Sequence, residues 1–327
     1  MALQALTDAG LRAAGSLLSH GPEGRRLVIL HYHRVPDVPD PLNPDLLDRP
    51  VFAMHMQALA DVFNVLPLSD ALAQLRAGTL PPRAVVVTFD DGYADNFQVA
   101  LPVLQHYRLP AAFFVAAGFL DGGCMFNDLV VEACRVAPAG GWHTGVEGLG
   151  TVQVADVLAR VQLAGRIISR LKYLGADERL AAARDLLHSA GGTQPGHIMM
   201  ESDEGRALHR AGMEIGGHTQ SHPILARLGS DEADREIRTG KAALESLLGT
   251  RVAHFAYPNG KPGTDYLPRD VTAAKAAGFT SALTTVWARA TRTADPFQIP
   301  RVGSWDRSRQ RFCARLLRCY RQVPAPG

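Results

Sequence analysis

Cysteine is scarce in this chain: four in 327 residues (Cys124, Cys134, Cys313 and Cys319), with no C-x-x-C pair. That excludes a zinc ribbon or a dithiol redox motif and leaves four free thiols in a reducing compartment as the expectation. Charge of one sign is lacking as well. Lys and Arg number 34 against 32 Asp and Glu, a net charge of +2. No basic block lies near the candidate site described below, so no nucleic-acid partner is expected. Long apolar runs are also missing. No stretch approaches the ~18 residues of a membrane-spanning helix. The first residues, MALQALTDAGLRAAG, are interrupted by Asp8 and Arg12 with no basic region ahead of them, unlike a secretory signal. The expected location is cytoplasmic, with membrane association left to the C-terminal tail discussed below.

What is present is an ordinary globular balance, 46% hydrophobic and 20% charged, enough to build a substantial core without disulfides. Short apolar, β-branched runs alternate with helical patterns. Leu27 to Leu30 reads as a buried strand running into His31-Tyr32-His33. Helices are expected over Phe52 to Phe63 and Ser69 to Arg76, with Ser69 as N-cap. Ala84 to Phe89 is a strand, Tyr93 to Tyr107 a helix and Ala111 to Ala116 a strand. After a change of pattern, the alternation resumes with helix Glu201 to Ala211, strand Glu214 to Gly217 and helix Ser230 to Leu248. Strand Val252 to Ala256, helix Pro268 to Ala277 and strand Thr280 to Thr284 complete it. Such alternation implies an α/β fold of parallel strands with crossover helices. Residues 121–200 break it with Gly-rich punctuation and long Leu/Ala/Arg stretches. They read as a helical insertion within one domain, most regular from Val154 to Leu187.

Three local signals each fall where a predicted strand ends, the edge on which parallel α/β folds assemble their sites. The first is Thr88-Phe89-Asp90-Asp91-Gly92-Tyr93. Adjacent carboxylates raise each other's pKa, a cost that a bound cation removes; alone, the segment is equally a polar turn. The second is Gly217-His218-Thr219-Gln220-Ser221-His222-Pro223. If it makes a helical turn, both imidazoles share a face; alone, the motif is weak and reads more readily as a His-rich surface loop. Two His and one Asp together form a three-ligand set that leaves a position open for water and substrate. The third is Phe255-Ala256-Tyr257-Pro258-Asn259-Gly260, a tight turn able to aim a backbone N–H into a cleft, or simply a βα loop.

In this order, TFDDGY, His-x-x-x-His-Pro and Tyr-Pro-Asn-Gly resemble the polysaccharide deacetylases of carbohydrate esterase family 4. The opening LHYHRV is similar to the branch containing the biofilm poly-N-acetylglucosamine deacetylases. The likeness covers residues 25–305 apart from the insertion. It implies a distorted (β/α) barrel of fewer than eight units, with residues 1–24 as a helical extension and 306–327 as a basic tail. It also implies a metal-dependent hydrolase removing acetyl groups, N-acetyl foremost, from a glycan. By the resemblance Asp91, His218 and His222 hold one divalent metal, zinc first, with cobalt, nickel or iron(II) able to use the same ligands. Asp90 is the general base, the Asn259 N–H binds the oxyanion, and His33 supplies the general acid. His31 is the bland partner of His33. Two departures stand out. Ala256 occupies the place of an arginine that contacts the base in the family, and Leu283-Thr284-Thr285 lacks the histidine of the family's late Leu-x-His.

Two other readings compete with this one: an amidohydrolase of a small nitrogenous metabolite, and a carbohydrate-binding module that has lost catalysis. The C-terminal DRSRQRFCARLLRCYRQV sets six arginines among apolar residues at near-helical spacing. It is either a helix docked on the barrel, the favoured reading, or an amphipathic helix that touches acidic lipid head groups.

Overall fold

In a computed structural model, which describes residues 2–323, a helix α1 (Ala2–Leu18) and a small hairpin, β1 (His20–Gly21) with β2 (Gly24–Arg25), precede the main sheet. The sheet opens with β3 (Val28–Tyr32). Helix α2 (Arg49–Val62) follows, capped by the Asp48 carboxylate on the Val51 N–H and with Pro50 in its first turn. Next come β4 (Asn64–Val65), helix α3 (Leu68–Ala77) and β5 (Ala84–Phe89). Ser69 is not the N-cap expected of it. Pro67 holds that position, and Ser69 lies in the first turn, its hydroxyl paired with Glu214 and His254.

The expected helix from Tyr93 to Tyr107 divides into a π-helical stretch over Asn96–Ala100 and a helix α4 (Leu101–Tyr107). Pro102 lacks the N–H that would continue one regular ladder. Strand β6 (Ala112–Val115) ends at the insertion. The insertion holds helices α5 (Phe126–Val136), α6 (Val157–Leu171) and α7 (Ala176–Ser189). It also holds an antiparallel hairpin, β7 (Gly140–His143) with β8 (Thr151–Val154), which the sequence reading assigned to helix or loop. In Thr151-Val152-Gln153-Val154 every second residue is buried, the period of a strand. The insertion has its own apolar cluster, with Leu129, Ile167 and Leu187 at its centre.

Helix α8 (Ser202–Arg210), β9 (Glu214–Gly217), helix α9 (Ser230–Leu248), β10 (His254–Ala256), helix α10 (Pro268–Ala276), β11 (Ser281–Leu283), β12 (Val302–Gly303) and helix α11 (Arg309–Cys319) complete the chain. Every pairing in the main sheet is parallel, in the order β11-β10-β9-β6-β5-β3-β12, with β4 on the start of β5. Ile299 bonds in parallel to Ala282 and Thr284, so the chain crosses from β11 to β12 and draws the two ends of the sheet together. The result is a distorted barrel with fewer than eight full units, as expected.

Strand alternation sorts the side chains. Val85, Val87 and Phe89 face the helices, whereas Ile29, Val86 and Phe114 fill the interior above α3. His31, His33, Thr88 and Asp90 share the inward parity. The tail is not free: Phe312, Cys313 and Leu316 of α11 lie in the main core, so the apolar face that a lipid contact would need is occupied by protein. Residues 324–327 of the expected 306–327 tail, and Met1, lie outside the described residues. No helix among the described residues is long and apolar enough to cross a membrane.

Candidate active site

Asp90 and Asp91 emerge where β5 stops. The backbone turns sharply there, with φ of 78° at Asp91 and 91° at Gly92. A Cβ at Gly92 would lie 2.9 Å from Val115, so this turn needs glycine. The His-x-x-x-His segment does not make the helical turn on which the sequence argument conditionally relied. It is a loop with positive φ at Thr219 (68°) and His222 (52°). The Thr219 hydroxyl accepts the His222 N–H at 3.1 Å, and Glu236 of α9 accepts the N–H groups of Gln220 and Ser221 at 3.0 and 2.8 Å. Among the described residues, four of the eight non-glycine positions with positive φ (Asp91, Thr219, His222 and Asn259) belong to this site. Backbone strain held this way by surrounding bonds is typical of functional centres.

The loop brings the imidazoles to Asp91. Its Oδ1 lies 3.4 Å from His218 Nε2 and 3.3 Å from His222 Nε2, with the histidine ring centroids 4.8 Å apart. His218 Nδ1 lies 2.7 Å from the Ala256 carbonyl, which accepts its proton and leaves the Nε2 lone pair directed at Asp91. Asp91 Oδ1 is buried and accepts no hydrogen bond. An orphaned carboxylate oxygen facing imidazole nitrogens is a donor set that a divalent cation satisfies, and the three ligand atoms lie within 4.8 Å of one another. The residues therefore fit the metal that the resemblance implies. Burial pushes the Asp91 carboxyl up, but His222 and His218 outweigh it and hold it at about 2. For His222 burial dominates and lowers the imidazole to about 3; for His218 burial is overcome by Asp91 and Asp90, and its pKa rises.

Asp90 has a different partner. Arg301, fully buried just before β12, grips both its oxygens at 2.7 Å, while its Nε donates to the Thr284 carbonyl at 3.0 Å. Burial disfavours the Asp90 anion, yet the Arg301 guanidinium, followed by His218, keeps its carboxyl far below the usual range. Sequence reasoning missed this residue. Its only sequence signal was a lone arginine in Ile299-Pro300-Arg301-Val302, an otherwise apolar approach to a strand. The guanidinium absent at Ala256 thus arrives from another point in the chain.

The remaining residues line the same cleft, about 570 Å³ in volume. Asn259 sits in its turn at φ 60°, and no group among the described residues accepts its backbone N–H. His31 and His33 both face the cleft, ring centroids 5.6 Å apart, because β3 stays regular enough to keep them on one side. Burial and then Arg301 lower His31 to about 3, and its Nδ1 has no partner. The insertion walls the cleft with Phe126, Ile168 and Leu180. Arg179 of α7 donates to the His222 carbonyl at 2.7 Å and lies over the Phe126 ring, tying the insertion to the loop that carries His218 and His222.

The sequence profile of the polysaccharide deacetylase family matches residues 77–164 and 187–282, more than half the chain. The chain belongs to the polysaccharide deacetylase family. Asp90, Asp91, His218, His222 and Asn259 fall inside the matched segments; His31, His33 and Arg301 lie outside them. YxkH of Bacillus subtilis, provisionally named a polysaccharide deacetylase, is 35% identical over 92 residues, 28% of this chain. The match spans about a third (32%) of that relative's length. Among solved structures of deacetylases, PplD of Streptococcus pyogenes, in complex with acetate, aligns with a TM-score of 0.60 at 17% identity, over 91% of this chain and 99% of its own. IcaB from Ammonifex degensii aligns at 0.58 and 22% identity, over 90% and 98%. At these identities the structural likeness speaks for the fold.

Proposed function

We propose that this chain is a divalent-metal-dependent deacetylase that removes N-acetyl groups from a glycan. The observation that carries the reading is the pairing of two unlike carboxylates at one strand end. Asp91 presents an unsatisfied oxygen to two imidazoles, while Asp90 is held as an anion by Arg301 beside them. That division suits one carboxylate for ligation and the other for proton transfer. Zinc matches the His₂Asp set best; cobalt, nickel and iron(II) use the same donors.

When bound, the metal would polarise the acetyl carbonyl and acidify water in the cleft. The chain's own residues do the rest. Asp90 takes the proton of the attacking water on a lone pair that Arg301 leaves free, since each carboxylate oxygen has two. Arg301 fixes the direction of that lone pair. The Asn259 N–H donates to the carbonyl oxygen as negative charge develops there; such a donor is worth about 10²–10³ in rate. An amide nitrogen leaves poorly without a proton, and His33 in its protonated form delivers one, a contribution of about 10²–10⁴.

The test is metal content measured beside acetate release from acetylated sugar oligomers. About one metal per chain with metal-dependent release is expected. Asp91→Ala should lose both metal and turnover, Asp90→Asn should keep the metal and lose turnover, and His33→Ala should lose amide more than ester hydrolysis. Folded, metal-supplied protein that releases no acetate from N- or O-acetylated glycans would refute the reading.

A further inference from the structure

Trp287 and Trp305 take no part in the chemistry above. Their placement calls for an explanation. Trp287 follows β11 and Trp305 follows β12, so both stand on the C-terminal edge of the sheet, at the seam where its two ends meet. Between the terminal strands β11 and β12, β6 is the middle strand, and the insertion departs from β6. The tryptophans therefore stand across the barrel mouth from the insertion, with the candidate metal ligands between.

The pair adjoins the cleft. Thr285, two residues before Trp287, lines it. Gly303, two residues before Trp305, has both the His31 and the Trp287 rings against it; a Cβ there would lie 3.5 Å from His31 and 3.7 Å from Trp287. The two indoles sit 5.2 Å apart, tilted by 47°, and Trp305 is 54% exposed. Side by side, the two rings form a contiguous apolar surface, and it is contiguous surface of this kind, not a lone exposed ring, that marks interaction sites.

The platform is also braced. Arg315 of α11 lies 4.1 Å from the Trp305 ring and is itself paired with Asp306. Gln322 accepts the Trp287 indole N–H. The C-terminal helix thus steadies the aromatic surface. Arg315, stacked on Trp305 at the edge of the pair, places a guanidinium beside the rings. A pyranose ring combines an apolar C–H face with equatorial hydroxyls and matches both features.

We propose that Trp287 and Trp305 form a subsite for a sugar ring of the glycan, one or more residues removed from the ring being deacetylated. The proposal rests on the deacetylase reading and extends it to a chain substrate. A lipid surface is the alternative occupant of exposed tryptophans beside a basic helix. It fits less well, because Arg309 and Arg315 are already paired with acidic groups and the apolar face of α11 is buried.

The test compares the dimer and hexamer of N-acetylglucosamine on the metal-loaded protein. Acetate release from the dimer reports the activity by itself; the hexamer-to-dimer ratio of kcat/KM reports the subsite. Trp305→Ala and Trp287→Ala should lower that ratio roughly five- to tenfold through KM, with dimer turnover unchanged and Trp305→Phe restoring most of it. A second readout is independent of turnover: the hexamer should alter tryptophan fluorescence in Asp90→Asn, and Trp142→Phe, which removes the buried third tryptophan, should keep that signal. The proposal is overturned if the alanine variants hold the wild-type ratio and hexamer affinity. It is equally overturned if the hexamer fails to bind at millimolar concentration, or if anionic phosphatidylglycerol vesicles, and not the hexamer, shift the fluorescence.

Discussion

Replacing Arg301 by methionine removes a fully buried cation that holds both oxygens of Asp90 at 2.7 Å and leaves the carboxylate without its main counter-charge. Breaking one side of a buried pair typically costs about 3–5 kcal/mol. At ~2.1 cal/mol/K per residue, unfolding 327 residues carries an entropy of ~0.7 kcal/mol/K, so Tm should fall by roughly 4–7 °C. Asp90→Asn should also destabilise, since it strands the guanidinium. The double variant carries neither charge, and its loss should be smaller than the sum of the singles by about 2–3 kcal/mol. Calorimetry at fixed metal concentration reads these shifts, and acetate release reads the positioning role. Arg301→Lys should keep part of the stability but little of kcat, because an ammonium cannot grip two oxygens in one plane. Strict additivity of the two single variants would refute the coupling, and wild-type kcat/KM in Arg301→Lys would refute the positioning.

Three further outcomes are expected. His55 is fully buried between the Tyr32 hydroxyl and the Asp306 carbonyl and stacks on Phe312; burial lowers it from 6.5 to about 4 despite the raising effect of Asp306. Below pH 6.5 the unfolded chain binds a proton that the native state refuses until about pH 4, so stability should fall across that window by about 3 kcal/mol. In His55→Phe the slope of Tm against pH should flatten there; an unchanged slope would remove His55 as the cause. Arg179→Ala should weaken metal binding roughly tenfold by releasing the His222 carbonyl, measured by chelator competition. The four cysteines are buried, and desolvation raises Cys124 and Cys134 to about 12 and Cys313 and Cys319 to about 11. A thiol reagent should therefore label none in the native protein and all four after denaturation.

The barrel was legible because its signals are local. A run such as Ala84 to Phe89 is apolar and β-branched whatever lies elsewhere, and alternation with helices restricts the pairing to parallel crossovers. Asp90-Asp91, His218-x-x-x-His222 and the Asn259 turn were legible for the same reason: each is a compact motif at a strand end. The hairpin of β7 and β8 was obscured because its four-residue strands are too short to show against flanking helical stretches. The π-helical stretch at 96–100 had no local signal beyond Pro102.

What the sequence alone determined is therefore the family, the main alternation of long strands and helices outside the insertion, and the short motifs that converge on one cleft. Tertiary structure decided which groups act on those motifs. Arg301 meets Asp90 across 211 positions of chain, and it reaches that carboxylate only because β12 lies beside β3 and the sheet curls until its ends meet. Arg179 reaches His222 because the insertion folds back over the strand ends, and Trp287 meets Trp305 because β11 and β12 share the seam. Such contacts depend on loop closure over long separations, which no local pattern encodes.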